Sequence, residues 1–561
     1  MKTSCEFRFG FWDVTARDDA TFLPSENQPY ARIEDINREE GITFPDVVTL
    51  EPDFGWPCNG SKVWFPAAPD AYTWGWWSVS QSGADCAFEN PPTLTVNFMD
   101  DDGQPTPHSS AGITLHFYAT LPGVINIKWY GMDGELLADQ DFSPDQFEYF
   151  CEYQVENYSK VVITVQSMTA AYRYLRCTFI LFGLLEVLNT ARVEKAELCE
   201  EIHPAALTLP INTISLTFYT SGGHFSLLNL SGAYRLFQYK QQVNAYATVD
   251  GERRLIGIYY LQEASGFEDG MATLSLVDII GLLDTLDFNG GIYTATPIRE
   301  LLDAILGPED VIYELDPSFE EVTLTGYLPI CSKRAALQQI AVAIGAIIDT
   351  TRSTVMRIYP CPDLGTAVEV GPERKIIGHK VTLEALVTQV DMTAHAYQVS
   401  EEVKEISKSV LSAGQHRITF SAPAIADEVT GGELVETHPN FVVVNVEEPG
   451  EVIITGRQYV DNTTIYTVVM DHLPAGAKSS VKTVKDATLV DSSKAMAAAR
   501  RIYDYYQRRY TDEGQVLPGD EVVARAVEVR SFGGRSITGT IQRLTIDMAG
   551  GYITKWVVRG A

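Results

Sequence analysis

The sequence lacks the short motifs that identify common enzyme active sites. It contains no glycine-rich P-loop, no GxSxG nucleophile turn and no HExxH zinc motif. Its nine histidines are scattered, and none has another histidine three or four residues away. We therefore expect a protein that is not an enzyme and that uses no cofactor.

Long apolar runs are also missing. The longest are short, such as residues 179–185, whereas a membrane-spanning helix needs roughly 20 apolar residues. Residues 1–6 lack the apolar core of a secretory signal. We expect no membrane span and a protein that is made and folded in a cytoplasm.

The eight cysteines lie far apart, and no two of them form a CxxC pair. Structural zinc sites usually need such pairs, so we expect no metal site. In a cytoplasmic chain, most of these cysteines should be reduced core residues.

Basic residues are few relative to acidic ones. The chain has 42 Lys and Arg against 74 Asp and Glu, a formal net charge of −32. Phosphates would be repelled, which argues against sequence-specific binding of nucleic acid. The same charge suits a surface past which nucleic acid must slide without sticking; solubility is the ordinary alternative.

The most informative feature that is present is a hairpin that occurs twice. Residues 251–257, GERRLIG, recur as residues 533–539, GGRSITG. Strand-like runs precede both copies, at residues 243–249 and 523–529, and a second strand-like run follows each. Three of seven positions are identical, so chance is the alternative to duplication. Two copies of one β unit favour an assembly component over an enzyme with one active site.

Most of the chain shows the pattern of short strands, which predicts a mainly β, multidomain fold with a small α/β part. We expect a β jelly roll, two related small β-barrels and an intervening α/β domain. The predicted divisions are an N-terminal segment (1–60), a β-sandwich or jelly roll (61–190), a first barrel with a helix (191–292), a small α/β domain (293–372), a β domain (373–475) and a helix plus second barrel (476–561).

Three helices are predicted by caps and apolar stripes. Asp278 and Ser332 each precede an apolar stripe at helical spacing. A longer helix should follow Asp491 or Ser492, with Met496, Ala499, Tyr503, Tyr506 and Tyr510 on its buried side.

The tryptophans Trp74, Trp76 and Trp77 are the best candidates for a binding site, because indole faces stack on sugar rings. The alternative is that they fill the sandwich core or contact another subunit. Trp76 and Trp77 are adjacent, so in a strand they point to opposite faces. At least one of them should therefore face a loop, a partner or a ligand.

Several segments together resemble the tail-hub, or baseplate-hub, proteins of long-tailed bacteriophages, of the kind found in prophages of Gram-positive bacteria. Residues 209–216 resemble the strand that opens the first hub barrel, and residues 326–331, 334–341 and 345–350 resemble the middle domain. Residues 518–560 are similar to the closing barrel, and residues 92–183 resemble a discoidin-like jelly roll inserted ahead of the hub.

The resemblance implies a structural role in a virion tail that is assembled in the host bacterial cytoplasm. Hub chains form homotrimers whose six barrels dock on a six-fold tail tube. The implied partners are a tail-tube or distal tail protein and, because this sequence ends at the closing barrel, a separate tail spike or lysin. The alternative function is a carbohydrate-binding adhesion protein that acts on a host surface glycan through the jelly roll.

Overall fold

The computed structural model describes residues 3–12, 14–29, 31–34, 36–37, 47–49, 64–66, 73–100, 102–220, 240–266, 270–519, 521–531 and 533–561. The chain divides into two compact units. We call Arg8–Val187 the sandwich domain, and Met1–Phe7 with Leu188–Ala561 the main domain.

The sandwich domain has two principal antiparallel sheets that share one apolar core. The first contains, in spatial order, Leu136–Phe142, Pro122–Tyr130, Lys160–Met168, Thr93–Phe98 and Ala20–Pro24. The second contains Glu148–Tyr158, His108–Phe117, Arg176–Leu181 and Trp76–Trp77. Alternating residues such as Leu94, Val96, Ile113 and Leu115 are buried between the sheets. This is the pattern expected of strands with one core face and one polar face.

Smaller elements complete the sandwich domain. They are the helix Val14–Asp19 and the strand pairs Ala31–Arg32 with Thr73–Trp74 and Val47–Thr49 with Trp64–Pro66. A discoidin-like jelly roll stays a prediction for this domain.

The first β module of the main domain has five antiparallel strands among its described residues. They are β1 (Val193–Glu201), β2 (Thr213–Tyr219), β3 (Gln242–Val249), β4 (Glu252–Gly266) and β5 (Met271–Val277). Their spatial order is β3-β4-β5-β2-β1. In β2, Ile214, Leu216 and Phe218 are buried, as their alternation with polar residues predicts.

The second β module has the same topology. Its strands are β6 (Lys380–Leu383), β7 (Tyr510–Val516), β8 (Ala526–Arg530), β9 (Ser536–Asp547) and β10 (Thr554–Gly560), and their spatial order is β8-β9-β10-β7-β6. In spatial order, β6 therefore corresponds to β1, β7 to β2, β8 to β3, β9 to β4 and β10 to β5. The repeated hairpins are the β3–β4 and β8–β9 pairs, so they lie at equivalent positions of one topology.

The residue-by-residue match of the hairpins needs a correction. A β-bulge falls at Gln262 where β4 passes to β5, and the matching bulge falls at Gln542 between β9 and β10. The two bulges are 280 residues apart in the sequence. The sequence match, which aligns Gly257 with Gly539, instead places equivalent residues 282 apart. The sequence alignment is therefore two residues out along the second strand, because the two connecting turns differ in length: Val249 pairs with Glu252, but Arg530 pairs with Ser536.

The two modules join into one 13-stranded sheet, because β1 also pairs with β9. Thr3–Trp12 and Gly183–Asn189 extend this sheet beyond β3, and Val368–Val370 pairs in parallel with β8. No pairing among the described residues closes the sheet, so the two modules are not two closed barrels as expected. The mainly β fold with an α/β part is confirmed.

A small α/β part lies between the modules in sequence. It contains the helices Ile279–Leu283, Ile298–Leu306 and Lys333–Ile344 and the 3₁₀ turns Gly307–Glu309, Pro317–Phe319, Leu364–Thr366 and Pro372–Arg374. Its strands are Asp287–Phe288, Gly291–Pro297, Tyr313–Leu315, Thr323–Leu328, Cys331–Ser332, Ala346–Asp349 and Met356–Pro360. Asp278 and Ser332 cap their helices as predicted, through bonds from the amides of Gly281 and Ala335.

A β-rich insertion separates β6 from β7. Three three-stranded sheets contain Gln389–Ala394, Thr464–Val469 and Val481–Val484; Tyr397–Leu411, Gly450–Asp461 and Ala424–Thr430; and Gly414–Thr419, Phe441–Val446 and Glu433–His438. The second and third of these sheets share an apolar core that includes Val442, Val444 and Ile454.

The last helix, Ala495–Gln507, buries a face that overlaps the predicted one at Ala499 and Tyr503 but departs from it at Met496 and Tyr510. Its buried residues are Ala495, Ala498, Ala499, Ile502, Tyr503 and Tyr505. Met496 is exposed, and Tyr510 is the first residue of β7. Ala495 and Ala498 extend the buried face beyond the predicted stripe, and these small side chains allow the helix to approach the sheet of Gln389–Ala394 closely.

Candidate functional site

The tryptophans chosen from the sequence are interior residues where their side chains are described. Trp76 and Trp77 form a two-residue strand, and each is 1% exposed. Trp74 pairs through its backbone with Arg32 in a neighbouring strand, and its side chain lies outside the described residues. Trp76 belongs to the sandwich core, and its indole nitrogen donates to the carbonyl of Glu26 at 3.2 Å.

Trp77 is covered on the opposite side of the strand. The guanidinium of Arg176 lies 4.9 Å from the centroid of the Trp77 ring. The backbone amide of Trp77 donates to the side-chain oxygen of Asn27 at 2.7 Å. Neither of the two rings offers an open face to a sugar, so this burial does not favour a glycan platform, which stays a prediction.

The junction of the two β modules brings together far more of the chain. Here β1 pairs antiparallel with β9, so that Leu198 lies opposite Ile546 and Glu200 opposite Leu544. Leu198 and Glu200 are both 0% exposed. At the end of the junction, Arg543 lies 3.7 Å from the carboxylate of Glu201. The junction is therefore built from continuous backbone pairing with buried side chains.

A buried ion pair holds the α/β part against this junction. Arg352 donates to both carboxylate oxygens of Glu200, at 3.0 and 3.2 Å. Its backbone amide donates to Ile256 on β4 at 3.2 Å. A buried carboxylate is costly unless it is paired, and the two-pronged geometry supplies the pairing. Arg352 thereby ties the α/β part to two strands of the first module beside the junction.

A cavity of about 410 Å³ lies beside the junction. It is lined by Ala247 and Ile256 of the first module, Ile546 and Thr554 of the second, and Arg352, among others. Tyr552 also lines it, and its buried hydroxyl has no hydrogen-bond partner among the described residues. Burial raises the pKa of Tyr552. The lining is mostly apolar, and its charged residues are Arg254, Arg352 and Glu521. These described lining residues do not place a base beside a nucleophile.

A polar cluster supports the same junction from the first module. Asp278, which caps the helix Ile279–Leu283, accepts a hydrogen bond from Thr350 at 2.7 Å, and Thr350 accepts one from Asn212 at 3.1 Å. Asn212 in turn accepts from the amide of Glu201, the last residue of β1, at 2.9 Å. Burial raises the pKa of Asp278 to about 6.

The second module has a buried polar cluster of its own. Asp512 on β7 is contacted by Lys375 at 3.2 Å, by His379 at 2.9 Å and by the indole nitrogen of Trp556 at 3.0 Å. These contacts hold the segment that leads into β6 against the sheet. These contacts fix the position of β6, which pairs with a described strand, β7, along one edge.

The outer edge of β6 is one of the two ends of the large sheet as described. No described strand pairs with it. Val381 is 50% exposed and Leu383 57%, and Ile377 just before the strand is 92% exposed. An apolar strand edge left open to water is a ready template for pairing with another chain.

Within the described residues, no cluster of three His, Cys, Asp or Glu side chains could hold a metal ion. None of the described helices is long and apolar enough to cross a membrane.

The sequence reasoning missed the junction. In residues 193–201, Ala196 and Leu198 alternate with charged residues, which predicts a strand with one apolar face. Glu200 lies on that same apolar face, and the structure buries it against Arg352. Nothing local in the sequence indicates a partner about 150 residues away.

No family model matches the chain, and no curated protein matches it. Among solved structures, it is similar to a tail protein from Neisseria meningitidis MC58, with 10% identity, a TM-score of 0.40 and coverage of 67% of this chain and 93% of that one. A prophage tail protein from Listeria monocytogenes EGD-e gives 9% identity, a TM-score of 0.39 and coverage of 67% and 91%. A component of the type VI secretion system of E. coli gives 9% identity, a TM-score of 0.33 and coverage of 66% of this chain and 74% of that one.

These structures are tail proteins and a tail-like component, the class that the sequence resemblance named. The TM-scores lie below 0.5, so we argue the function from the chain's own geometry.

Proposed function

We propose that the chain is a structural hub of the tail of a phage or phage-like particle. In this role it forms a trimeric ring that adapts a six-fold tail tube to the tail tip. It acts by assembly and not as an enzyme. The observation that carries the proposal is the shared topology of β1–β5 and β6–β10.

The shared topology addresses a symmetry mismatch. A ring of three chains with one kind of module offers three binding surfaces, whereas a six-fold tube offers six. Two equivalent modules in each chain supply six similar surfaces from three chains. The β1–β9 pairing fixes the two modules of one chain in a single sheet, which is the rigidity that a ring component needs.

Charge supports the same role. With a net charge of −32, the protein repels phosphates, so DNA could pass a lumen lined by it without binding. The proposed partners are a tail-tube or distal tail protein on one side and a separate tail spike or lysin on the other. The proposed location is the virion tail, after assembly in the host bacterial cytoplasm.

The test is the mass of the protein in solution, alone and mixed with its tail-tube protein. We expect a particle of three times the 62.1 kDa chain mass, or such a particle once tube protein is added. The measurement should be repeated at high salt, which screens repulsion between acidic chains. A chain that stays monomeric under all these conditions and ignores the tube protein would contradict the proposal.

A further inference from the structure

The pairing of the two modules within one chain is a template for pairing between chains. The outer edge of β1 pairs antiparallel with the C-terminal half of β9, with Cys199 opposite Thr545. If each module has the same edges, the equivalents of these two segments should be able to pair in the same way. Those equivalents are an edge of β6 and the C-terminal half of β4.

The hydrogen-bond registers fix which residues correspond. Leu276 on β5 and Val558 on β10 lie opposite the residues that immediately precede the two matching bulges. Ile214 on β2 lies opposite Leu276, and Asp512 on β7 lies opposite Val558. Ile214 and Asp512 are therefore equivalent.

The outermost strands follow in the same register. Leu198 on β1 lies opposite Ile214, and Val381 on β6 lies opposite Asp512. Val381 is thus the equivalent of Leu198. On the other segment, Ser265 and Thr545 each stand three residues beyond the bulges at Gln262 and Gln542, so they too are equivalent.

In the described part of the chain, both equivalents lack the strand partner that their counterparts have. Among the described residues, no strand pairs with the outer edge of β6 or with the edge of residues 263–266 that faces away from β5. Leu198 is 0% exposed but Val381 is 50% exposed, and Glu200 is 0% exposed but Leu383 is 57% exposed. Within the residues that the structure describes, the equivalents of both halves of the internal junction therefore have no strand partner.

We propose that β6 of one copy of this chain pairs antiparallel with the end of β4 of a second copy. The contact rests on the proposed function and names the surfaces through which the ring forms. The internal register transfers directly and places Val381 opposite Gly266, Thr382 opposite Ser265, and Leu383 opposite Ala264. The interface is head-to-tail, which closes into a ring when the rotation per chain allows it.

The proposed register places two acidic residues opposite each other, and this unfavourable contact can be tested. Inside the chain, Glu201 lies near Arg543. Continued by one residue, the contact between chains places Glu384 opposite Glu263. Like charges that lie directly opposite across strands are destabilising. The contact between chains is therefore weaker than the internal junction for a stated reason.

Cross-linking tests the contact directly. Ser265→Cys combined with Thr382→Cys should give linked dimers and trimers with a short bis-maleimide, far above the level seen for either single variant or the parent chain. The matched control combines Thr382→Cys with Ser215→Cys, an exposed serine of β2, which is not an edge strand. Equal cross-linking in the control, or none in the test pair, would overturn the register.

A charge change tests the same register by gain of function. Glu263→Arg recreates the internal Glu201–Arg543 arrangement and should lower the dissociation constant of the assembly on the order of fivefold per contact. Glu263→Gln, which only removes the repulsion, should give a smaller gain, and adding Glu384→Arg to Glu263→Arg should abolish it. An assembly that forms but ignores these changes would refute the strand contact and leave the hub proposal standing. A chain that never assembles would refute both.

Discussion

Leu198 and Val381 occupy equivalent positions in the two β modules, yet Leu198 is fully buried and Val381 is half exposed. The difference arises because β1 has a second strand partner, β9, and β6 has none among the described residues. The same position in one topology thus serves internal packing in one module and presents an apolar edge in the other.

Because of this difference, we expect truncation to alanine to affect stability at Leu198 and self-association at Val381. Leu198→Ala should lower the free energy of unfolding of the main domain by about 2–5 kcal/mol, because it leaves a cavity in the junction. Val381→Ala should change it by less than about 0.5 kcal/mol in the isolated chain and should instead weaken self-association. Denaturant unfolding together with hydrogen exchange would locate each change. Equal destabilisation by both variants would contradict the equivalence.

The ion pair between Glu200 and Arg352 predicts a strong effect of removing one partner. Arg352→Met leaves a buried carboxylate without its cation, which should cost about 3–5 kcal/mol. The double variant Glu200→Leu with Arg352→Met should recover most of that loss, since leucine stands at the equivalent position 383.

The control for this prediction is Arg543→Met, which removes the more exposed pair with Glu201 and should cost about 0–1 kcal/mol. Melting curves of the four proteins would check the series. A double variant as unstable as Arg352→Met alone would show that the pair is needed for more than charge compensation.

We expect Asp278 to make the free energy of unfolding depend on pH, with a sign opposite to that of an ordinary salt-bridged carboxylate. Burial raises its pKa from 3.8 to about 6, so between these values the folded chain holds a proton that the unfolded chain releases. Its contribution to stability is therefore fully present below about pH 4 and is lost as the pH rises through about 6.

Asp278→Asn should remove this dependence while it keeps the helix cap, because asparagine is also a good N-cap residue. The difference in unfolding free energy between variant and parent, measured from pH 4 to pH 7, should favour the variant increasingly as the pH rises. A difference that is flat over that range would show that Asp278 titrates normally.

The sequence predicts what depends on neighbouring residues. The hairpins come from turn residues between alternating runs, and Gly251 and Gly534 take the left-handed backbone conformation that such turns need. Ser332 identifies its helix because a hydroxyl three residues before a free amide is a local signal.

The sequence does not predict which strand edges meet. Pairing of β1 with β9 joins residues more than 340 apart, and the pattern of β1 suits an edge strand equally well. The buried face of the helix Ala495–Gln507 was predicted only in part for a related reason. Its alanines are buried because they allow close approach to a sheet, which is a property of the partner and not of the helix.

Removing the side chain of Trp77 should lower the stability of the sandwich domain. It is 1% exposed beneath Arg176, so Trp77→Ala should cost about 3–5 kcal/mol there, whereas Phe147→Ala, at a site that is 48% exposed, should cost little. Calorimetry with hydrogen exchange would assign the change to residues 8–187. A glycan array run on the same variants separates packing from recognition. If Trp77→Ala melted like the parent but lost glycan binding, the ring would be a ligand contact and the adhesion function would gain support.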